Sequence, residues 1–424
     1  MHNRSLLSTR NRSIAAVYLS GLLAGIALIL FPSAGALFTD PAYHNLSSQQ
    51  FGVLFTPQII TAIVAASLTA TLAQRIGMKR VMAAGLALTA LAMLLMALSQ
   101  WALGLVGAFL LLLAATAAMG AGFGLTISAL NAYAFNLFPG REDSAVTAVH
   151  VCTGIGQAGA ALLLGLFTGL GLWWGAPLAV LLAIVLLLFF QAGLPLELRT
   201  ATPTAAATRP TERGMPGRVW LFALVTLTYG VVESVFGNWT PLYLQTNGLS
   251  PADAALGLSI FWAAVTGGRV LFALAAVRFN VRPLLYVTPF AVGAVLLVLP
   301  LLNGNLAQFL ALAAAGLALS YFFPYSISLA SAEFPTRTAA VSGLLVAGLQ
   351  LGSGLSANIV GFANAIIPLS VLFQASAAYM LVMGALVLYL ERTRPRSTGD
   401  DVMHRDLPPQ PAPCLQHYQK QESV

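Results

Sequence analysis

The sequence predicts an all-α membrane protein with twelve transmembrane helices in two pseudo-symmetric six-helix bundles. Its composition, its apolar runs and an internal repeat lead to this fold class. Of 424 residues, 58% are hydrophobic and only 8% are charged, whereas a soluble domain carries about 25% charged residues. So few charges cannot cover a water-soluble surface of this size. The apolar runs are continuous rather than alternating, which favours helices over a membrane barrel.

Twelve runs are long enough to cross a bilayer as helices. The connections that follow the even-numbered runs contain Arg or Lys, whereas the odd-numbered connections contain none. Under the positive-inside rule, this alternation predicts a multi-pass protein of the plasma membrane or bacterial inner membrane with both termini in the cytoplasm. The net charge of +7 is therefore a topology signal, and no nucleic-acid partner is expected. The runs are 14–36, 51–73, 81–99, 104–131, 145–170, 174–194, 218–244, 252–277, 284–302, 307–330, 339–366 and 369–391.

The second and eighth runs begin in the same way. Ser47 and Ser250 are each expected to cap a helix N-terminus, with Gln50 and Asp253 at the capping-box position. An arginine follows each serine after the same interval, and the segments FPGR (138–141) and FPTR (334–337) follow the fourth and tenth runs. These matches predict two six-helix bundles, 1–195 and 218–394. A cytoplasmic linker, 196–217, joins them, and a disordered tail, 395–424, follows.

Two repeated halves are typical of secondary transporters that hold a substrate near the membrane midplane. The segment LAQRIGMKR (72–80) is similar to the loop between helices 2 and 3 of the major facilitator superfamily. Ala70 and Gln74 stand where that pattern has glycine and aspartate. The resemblance implies the superfamily fold, with helices 1, 4, 7 and 10 lining a central cavity. It also implies a gating loop containing Arg75, Gly77, Lys79 and Arg80.

Glu233 and Arg269 are the charged residues that lie deep within the apolar runs. The GGR of 267–269, together with Glu233 and Trp239, resembles the fucose and glucose/galactose transporter branch. That branch's acidic residues in helices 1 and 4 are absent here. Two alternatives explain the charges. Either they form a fixed pair joining helices 7 and 8, or the pair breaks when Glu233 takes up a proton or Arg269 engages a substrate.

Helical spacing places further polar residues on the faces that turn inward. His150 on helix 5 is a proton-coupling candidate, with a packing role as the alternative. Pro241 predicts a break in helix 7 near Gly237–Asn238. Tyr321 and Tyr325 suit stacking on a ligand ring, and packing between helices explains them equally. The candidate substrate-binding residues are Tyr229, Asn238, Trp239, Trp262, Thr266, Asn131, Gln157, Tyr321, Tyr325 and Gln350.

The sequence therefore predicts a secondary active transporter that moves a small polar solute, sugar-like or a small organic acid, by alternating access with proton coupling. No hydrolase, phosphate-loop or metal-ligand motif occurs, so we expect neither an enzyme nor a cofactor or metal site. The expected partners are the solute, a proton and the lipid bilayer, and the protein is expected to be a monomer. The alternatives are an exporter of amphipathic drugs or metabolites and a non-transporting membrane sensor.

Overall fold

The computed structural model describes residues 2–137, 142–196, 215–276, 278–334 and 337–394. The FPGR segment (138–141), nearly all of the predicted linker and the whole predicted tail (395–424) lie outside these residues. Within the described ranges, twelve helices are long and apolar enough to cross a membrane. The number of spans predicted from the sequence is therefore confirmed, and the structure is that of an all-α membrane protein.

The twelve helices are numbered here in chain order. The first six are α1 Thr9–Thr39, α2 Ser48–Ile76, α3 Met78–Ala102, α4 Val106–Ala134, α5 Ala145–Gly169 and α6 Gly175–Ala192. The second six are α7 Gly217–Thr246, α8 Pro251–Ala276, α9 Leu284–Leu301, α10 Asn305–Glu333, α11 Ala340–Ala363 and α12 Leu369–Arg392. We refer to the end of the molecule that carries Arg75, Lys79, Arg278 and Arg282 as the basic end.

The two halves pack in the same way. Helix α1 packs on α5, α2 on α4 and α3 on α6, and the equivalent pairs in the second half are α7 on α11, α8 on α10 and α9 on α12. The halves then meet through two equivalent contacts, α5 against α8 and α2 against α11, and α1 also contacts α7. The predicted arrangement of two pseudo-symmetric six-helix bundles is therefore confirmed.

Local sequence signals account for the starts of α2 and α8. Ser47 accepts a hydrogen bond from the Gln50 backbone, and the Gln50 side chain accepts one from the Ser47 backbone, which completes a capping box. Ser250 likewise accepts a hydrogen bond from the Asp253 backbone over 3.1 Å. Gly77, between α2 and α3, has φ +84°, a conformation that favours glycine.

Two glycines allow the bundles to approach closely. A Cβ on Gly154 of α5 would lie 2.3 Å from the Thr266 hydroxyl of α8. A Cβ on Gly52 of α2 would lie 2.4 Å from the Ala357 carbonyl oxygen of α11. Real side chains do not tolerate such distances, so both interfaces depend on the missing side chain.

The predicted break in α7 is wrong, whereas α10 is interrupted, as are α1 at Ala34 and α2 at Leu54. Helix α7 runs from Gly217 to Thr246 through Pro241 without interruption, because the loss of one backbone bond leaves those of the neighbouring turns intact. Helix α10 consists of two helical segments, Asn305–Leu319 and Phe322–Glu333. Pro324 has no N–H to donate to the Ser320 carbonyl four residues earlier, which leaves that carbonyl free at the break.

Candidate functional site

The centre of the candidate site is a tyrosine and a glutamate on one face of α7. The Tyr229 hydroxyl donates a hydrogen bond of 2.9 Å to Oε1 of Glu233, four residues later in the helix. Tyr229 is fully buried, and its ring stacks against Phe322 and Phe323 at the start of the second α10 segment, with centroid distances of 5.8 and 5.9 Å. Glu233 is only partly buried. The Tyr229 hydroxyl, held by the packing of its ring, therefore donates to a Glu233 carboxylate that retains some accessible surface.

Side chains of α7 and α8 hold the break in α10. The Tyr229 hydroxyl also lies 3.3 Å from the Leu319 carbonyl oxygen, and Nε of Arg269 donates to the Ser320 carbonyl oxygen over 3.3 Å. Leu319 is the last residue of the first α10 segment and Ser320 follows it, where the helix supplies no regular partner. The break is thus tied directly to Tyr229 and Arg269.

Glu233 and Arg269 do not form a direct ion pair. Across the described ranges, nitrogen–oxygen contacts within 4 Å join Arg218 to Glu333 and Arg282 to Glu391. Arg269 instead interacts with the Tyr229 hydroxyl and acts on Glu233 from a greater distance. Of the two alternatives, the fixed pair is therefore not present as a direct ion pair within the described ranges, and the Glu233 carboxylate instead accepts a hydrogen bond from the Tyr229 hydroxyl.

His150 reaches the same region from the other bundle. It lies on α5 four residues before Gly154, and Arg269 lies on α8 three residues after Thr266. Because α5 and α8 are antiparallel and touch at Gly154 and Thr266, both residues lie one turn closer to the basic end. Arg269 and His150 therefore lie at the same level on the two sides of the α5–α8 interface. All three residues predicted for proton coupling are brought together.

Several predicted substrate residues have buried polar atoms without a hydrogen-bond partner in the described part of the chain. These atoms are the indole nitrogens of Trp239 and Trp262 and Oδ1 of Asn131. Trp239 lies at the interface between the bundles, where its ring meets Phe51 of α2 edge-on at a centroid distance of 5.2 Å. Unsatisfied buried donors and acceptors are costly unless a water or ligand bonds them.

Six further buried polar atoms within the membrane-spanning helices share this property in the described part of the chain, and none of their residues was among the predicted site residues. They belong to Gln58 of α2, Thr126 of α4, Thr240 of α7, Ser259 of α8, Gln308 of α10 and Ser356 of α11. Their residue types are common in membrane helices as packing partners, so the sequence gives no signal that distinguishes them. Burial without a partner is visible only in the folded structure.

The remaining helix-borne candidates are differently placed. Asn238 donates to the Ser234 hydroxyl over 2.9 Å, and the Thr266 hydroxyl donates to the Trp262 carbonyl over 2.8 Å. Each of these bonds joins two residues of the same helix. The Thr266 hydroxyl has little hydrogen-bonding capacity left, whereas the side-chain carbonyl oxygen of Asn238 is still available. Gln157 on α5 and Gln350 on α11 are partly buried.

Tyr321 and Tyr325 make contacts that favour packing over ligand stacking. The Tyr321 ring stacks on Phe272 of α8 with a centroid distance of 4.8 Å, and its hydroxyl bonds that of Thr288 on α9. Tyr325 meets the same phenylalanine at 5.8 Å. Both tyrosines therefore join α10 to its neighbours within the second bundle.

The predicted gating loop is fixed to the first bundle. Nζ of Lys79 donates to the carbonyl oxygens of Ala192 and Leu194 over 2.9 and 2.7 Å. A cation thereby satisfies the carbonyls at the C-terminus of α6. Arg75 and Arg80 are exposed at the basic end, and the left-handed backbone at Gly77 makes the turn between α2 and α3.

The end of the molecule opposite the basic end is sealed between the bundles. Thr56 of α2 and Asn358 of α11 exchange two side-chain hydrogen bonds of 3.2 and 2.9 Å. Nearby, Asn364 donates to the Ser48 hydroxyl over 2.6 Å. Together with the Gly52–Ala357 approach, these bonds close the α2–α11 interface at this end.

His44 lies at this sealed end, outside the membrane-spanning helices. Its Nε2 lies 2.8 Å from the Ser99 hydroxyl, whose own proton goes to the Met96 carbonyl. His44 therefore carries its proton on Nε2, while Nδ1 has no partner within the described structure. Burial lowers the pKa of His44 to about 4, because a second ring proton would be buried without an acceptor.

Comparison with known proteins identifies the fold. The model of the Major Facilitator Superfamily matches residues 14–357 and 222–421. A crystal structure of a D-xylose–proton symporter has a TM-score of 0.76 at 18% identity, covering 92% of this chain and 99% of that chain. For the nucleoside transporter NupG the TM-score is 0.73 at 15% identity, with 90% and 99% covered. Among curated proteins, no sequence matches.

A third structure is a bacterial homologue of the human lysosomal transporter Spinster in an inward-facing and occupied conformation. Its TM-score is 0.68 at 15% identity, and the alignment covers 91% of this chain and 97% of that one. At these identities the structural similarity establishes the shared fold.

Proposed function

Because the chain belongs to the Major Facilitator Superfamily and is a membrane transporter rather than an enzyme, we propose that it moves a small polar solute coupled to protons. In this proposal Glu233 is the group that gains and loses the proton. One bundle would rock against the other around the site, with α5–α8 and α2–α11 as the contact surfaces.

The observation that carries the proposal is the environment of Glu233. A carboxylate within a membrane-spanning helix is costly, yet this one has no ion pair within the described ranges and relies on the Tyr229 hydroxyl. Its side chain also retains some accessible surface, which is a feature that a proton-exchanging group needs. A glutamate held permanently in an ion pair would need neither the hydrogen bond from the Tyr229 hydroxyl nor an accessible surface.

The buried, unpartnered atoms of Trp239, Trp262 and Asn131 support a polar solute. Two of these atoms are donors and one is an acceptor, which suits the hydroxyl groups of a sugar or of a hydroxy acid. The fold shared with a D-xylose–proton symporter and a nucleoside transporter is consistent with such a solute.

The proposal also includes the placement in the membrane. Connections with Lys or Arg alternate with connections that have neither along the whole sequence, so the basic end would face the cytoplasm, with both termini on that side. The end sealed by Thr56 and Asn358 would then face outward, and the conformation would be closed to the exterior.

The test begins with a thermal-shift screen of the purified protein against sugars, organic acids and amphipathic drugs. The solute that stabilises the protein most is then used in vesicles. Glu233→Gln should abolish uphill accumulation driven by a pH gradient, while solute exchange at equal concentrations continues. Glu391→Gln, which alters a carboxyl at the basic end, is the matched control and should retain accumulation. Full accumulation by Glu233→Gln would overturn the proposal, and binding without any flux would favour the sensor.

A further inference from the structure

Arg269 has unused hydrogen-bonding capacity. Its Nε donates to the Ser320 carbonyl, and its side chain also interacts with the Tyr229 hydroxyl. The guanidinium group has five N–H donors in a planar fork, and no carboxylate lies within ion-pair distance of it in the described part of the chain. The side chain is partly accessible. A cation with spare donors therefore borders the interface between the bundles.

His150 supplies a second nitrogen donor from the opposite side of that interface. It projects from α5 one turn beyond the Gly154–Thr266 contact, and Arg269 projects from α8 at the same level. The site is built from both bundles, so a ligand bound there would join them. Two oxygen atoms in one plane are the group that an arginine fork matches best.

The charges explain why such a ligand would be coupled to a proton. When Glu233 is ionised, its charge offsets that of Arg269, with Tyr229 between them. When Glu233 binds a proton, Arg269 is left as an uncompensated cation away from bulk water, which is unfavourable. An incoming anion restores neutrality. The titratable groups acting on Glu233 are Arg269 and Tyr229, and His150 also faces Arg269.

We propose that the transported solute is a small carboxylate anion, bound by Arg269 of α8 and His150 of α5 and carried together with one proton on Glu233. This inference rests on the proposed function and narrows it. One proton enters the Glu233 carboxylate as one anion enters the site, and both leave on the other side, so no net charge crosses the membrane. The indole donors of Trp239 and Trp262 would then bond hydroxyl groups of the same solute.

The binding test uses matched pairs of solutes that differ by one carboxylate: D-gluconate with D-glucose, D-xylonate with D-xylose, and lactate with propane-1,2-diol. In at least one pair, the acid should bind the purified protein about tenfold tighter than its neutral partner, the scale expected for charge-assisted hydrogen bonds. Arg269→Gln should remove this preference, and Arg269→Lys should retain part of it. Arg278→Gln, which changes an exposed arginine after α8, is the matched control and should keep it.

The transport test separates this inference from the proposed function. In vesicles, uptake of the acid driven by a pH gradient should be unaffected when a potassium diffusion potential is imposed, because the carried charges cancel. Uptake that responds to the potential, tighter binding of the neutral partner in every pair, or no binding of any acid would overturn the anion site. If a neutral solute is accumulated in a manner that requires Glu233, the proposed function stands and this inference is wrong. If binding of an acid requires Arg269 but its uptake does not require Glu233, the anion site stands, whereas the proton-carrying role of Glu233 is wrong in both proposals.

A folding control keeps these results interpretable. Arg269→Gln removes a charge from the interior, so its melting temperature and monodispersity are compared with those of the unmodified protein. His150→Gln is the second variant, because it keeps a nitrogen donor without a titratable ring. This variant should still bind the acid, but the part of the pH dependence of binding that comes from titration of His150 should be lost. A folded Arg269→Gln protein that keeps the preference for the acid would overturn the inference.

Discussion

The Tyr229 hydroxyl lies 2.9 Å from the Glu233 carboxylate and 3.3 Å from the Leu319 carbonyl oxygen. A hydroxyl has one proton to donate, so it can fully satisfy only one of these acceptors. An ionised Glu233 is the stronger acceptor. A protonated Glu233 can itself donate, which releases the Tyr229 proton to the break in α10. The charge of one carboxyl is thereby connected to the joint between two helical segments.

Tyr229→Phe should move the pH dependence of uphill transport to higher pH. The variant keeps the ring that stacks on Phe322 and Phe323 but removes the donor that favours ionised Glu233, so the carboxylate takes up its proton more readily. A hydrogen bond to a charged group contributes about 1.5–3 kcal/mol, which corresponds to a displacement of about 1–2 pH units. The measurement is the initial rate of uptake as a function of pH.

Tyr243→Phe is the matched control for this variant. Tyr243 is a second buried tyrosine of α7, and its hydroxyl lies 3.4 Å from the Leu299 carbonyl, remote from the glutamate. Removal of the Tyr243 hydroxyl should leave the pH dependence of the uptake rate unchanged. Equal profiles for the two variants would contradict the role assigned to the Tyr229 hydroxyl.

Pro324→Ala should join the two segments of α10 into one continuous helix. The new N–H can bond the Ser320 carbonyl, which competes with Nε of Arg269 for that acceptor. We expect the melting temperature to rise by a few degrees, because an interior proline disfavours a helix, and transport to become slower. The comparison is Pro241→Ala in the continuous α7, which should stabilise without slowing transport. A Pro324→Ala protein that transports at the normal rate would show that the break has no role.

Gly154→Ala should separate α5 from α8. The added Cβ would lie 2.3 Å from the Thr266 hydroxyl, and such overpacking costs about 1–3 kcal/mol. We expect a lower melting temperature and slower transport. Gly159→Ala on the same helix is the control, since nothing lies within 4 Å of its Cβ position. Thr266→Ala should restore much of the loss in the double variant. A similar loss for Gly159→Ala would point to helix propensity rather than contact.

Because of His44, the free energy of unfolding should decrease as the pH falls from about 6.5 to about 4. The pKa of His44 is lowered to about 4 in the folded protein, whereas the unfolded chain binds a proton at about 6.5. The unfolded state therefore gains protons first, and stability decreases by about 2 kcal/mol between about pH 7 and pH 5. His44→Gln keeps a donor for Ser99 and should flatten this part of the melting-temperature profile. An unchanged slope would assign the effect to other groups.

The sequence signals that proved reliable depend on neighbouring residues. Ser47 with Gln50 caps a helix, as the sequence predicted, because both partners lie within one turn. Pro241 and Pro324 show the limit of such reasoning. Each removes one backbone bond, but of these two helices only α10 is interrupted. There Arg269 bonds the Ser320 carbonyl that Pro324 cannot bond, and the Tyr229 hydroxyl lies beside the Leu319 carbonyl.

Tertiary contacts also decided which candidate residues meet. Helical spacing correctly placed Glu233 and Tyr229 on one face of α7, and it could not indicate that the hydroxyl would lie between Glu233 and Arg269. Tyr321 fitted the pattern of a cavity residue equally well, yet its ring stacks on Phe272. The bond between His44 and Ser99 joins residues 55 positions apart, a separation that no local pattern encodes.

The charge of Glu233 can be followed directly by infrared difference spectroscopy of the protein in lipid vesicles as the pH is lowered from about 8 to about 5, the range over which coupling groups work. A carboxylic-acid carbonyl band should grow on acidification and be missing from the same difference spectrum of Glu233→Gln. Superimposable spectra from the two proteins would mean that Glu233 keeps one protonation state throughout. The account of proton coupling would then be contradicted.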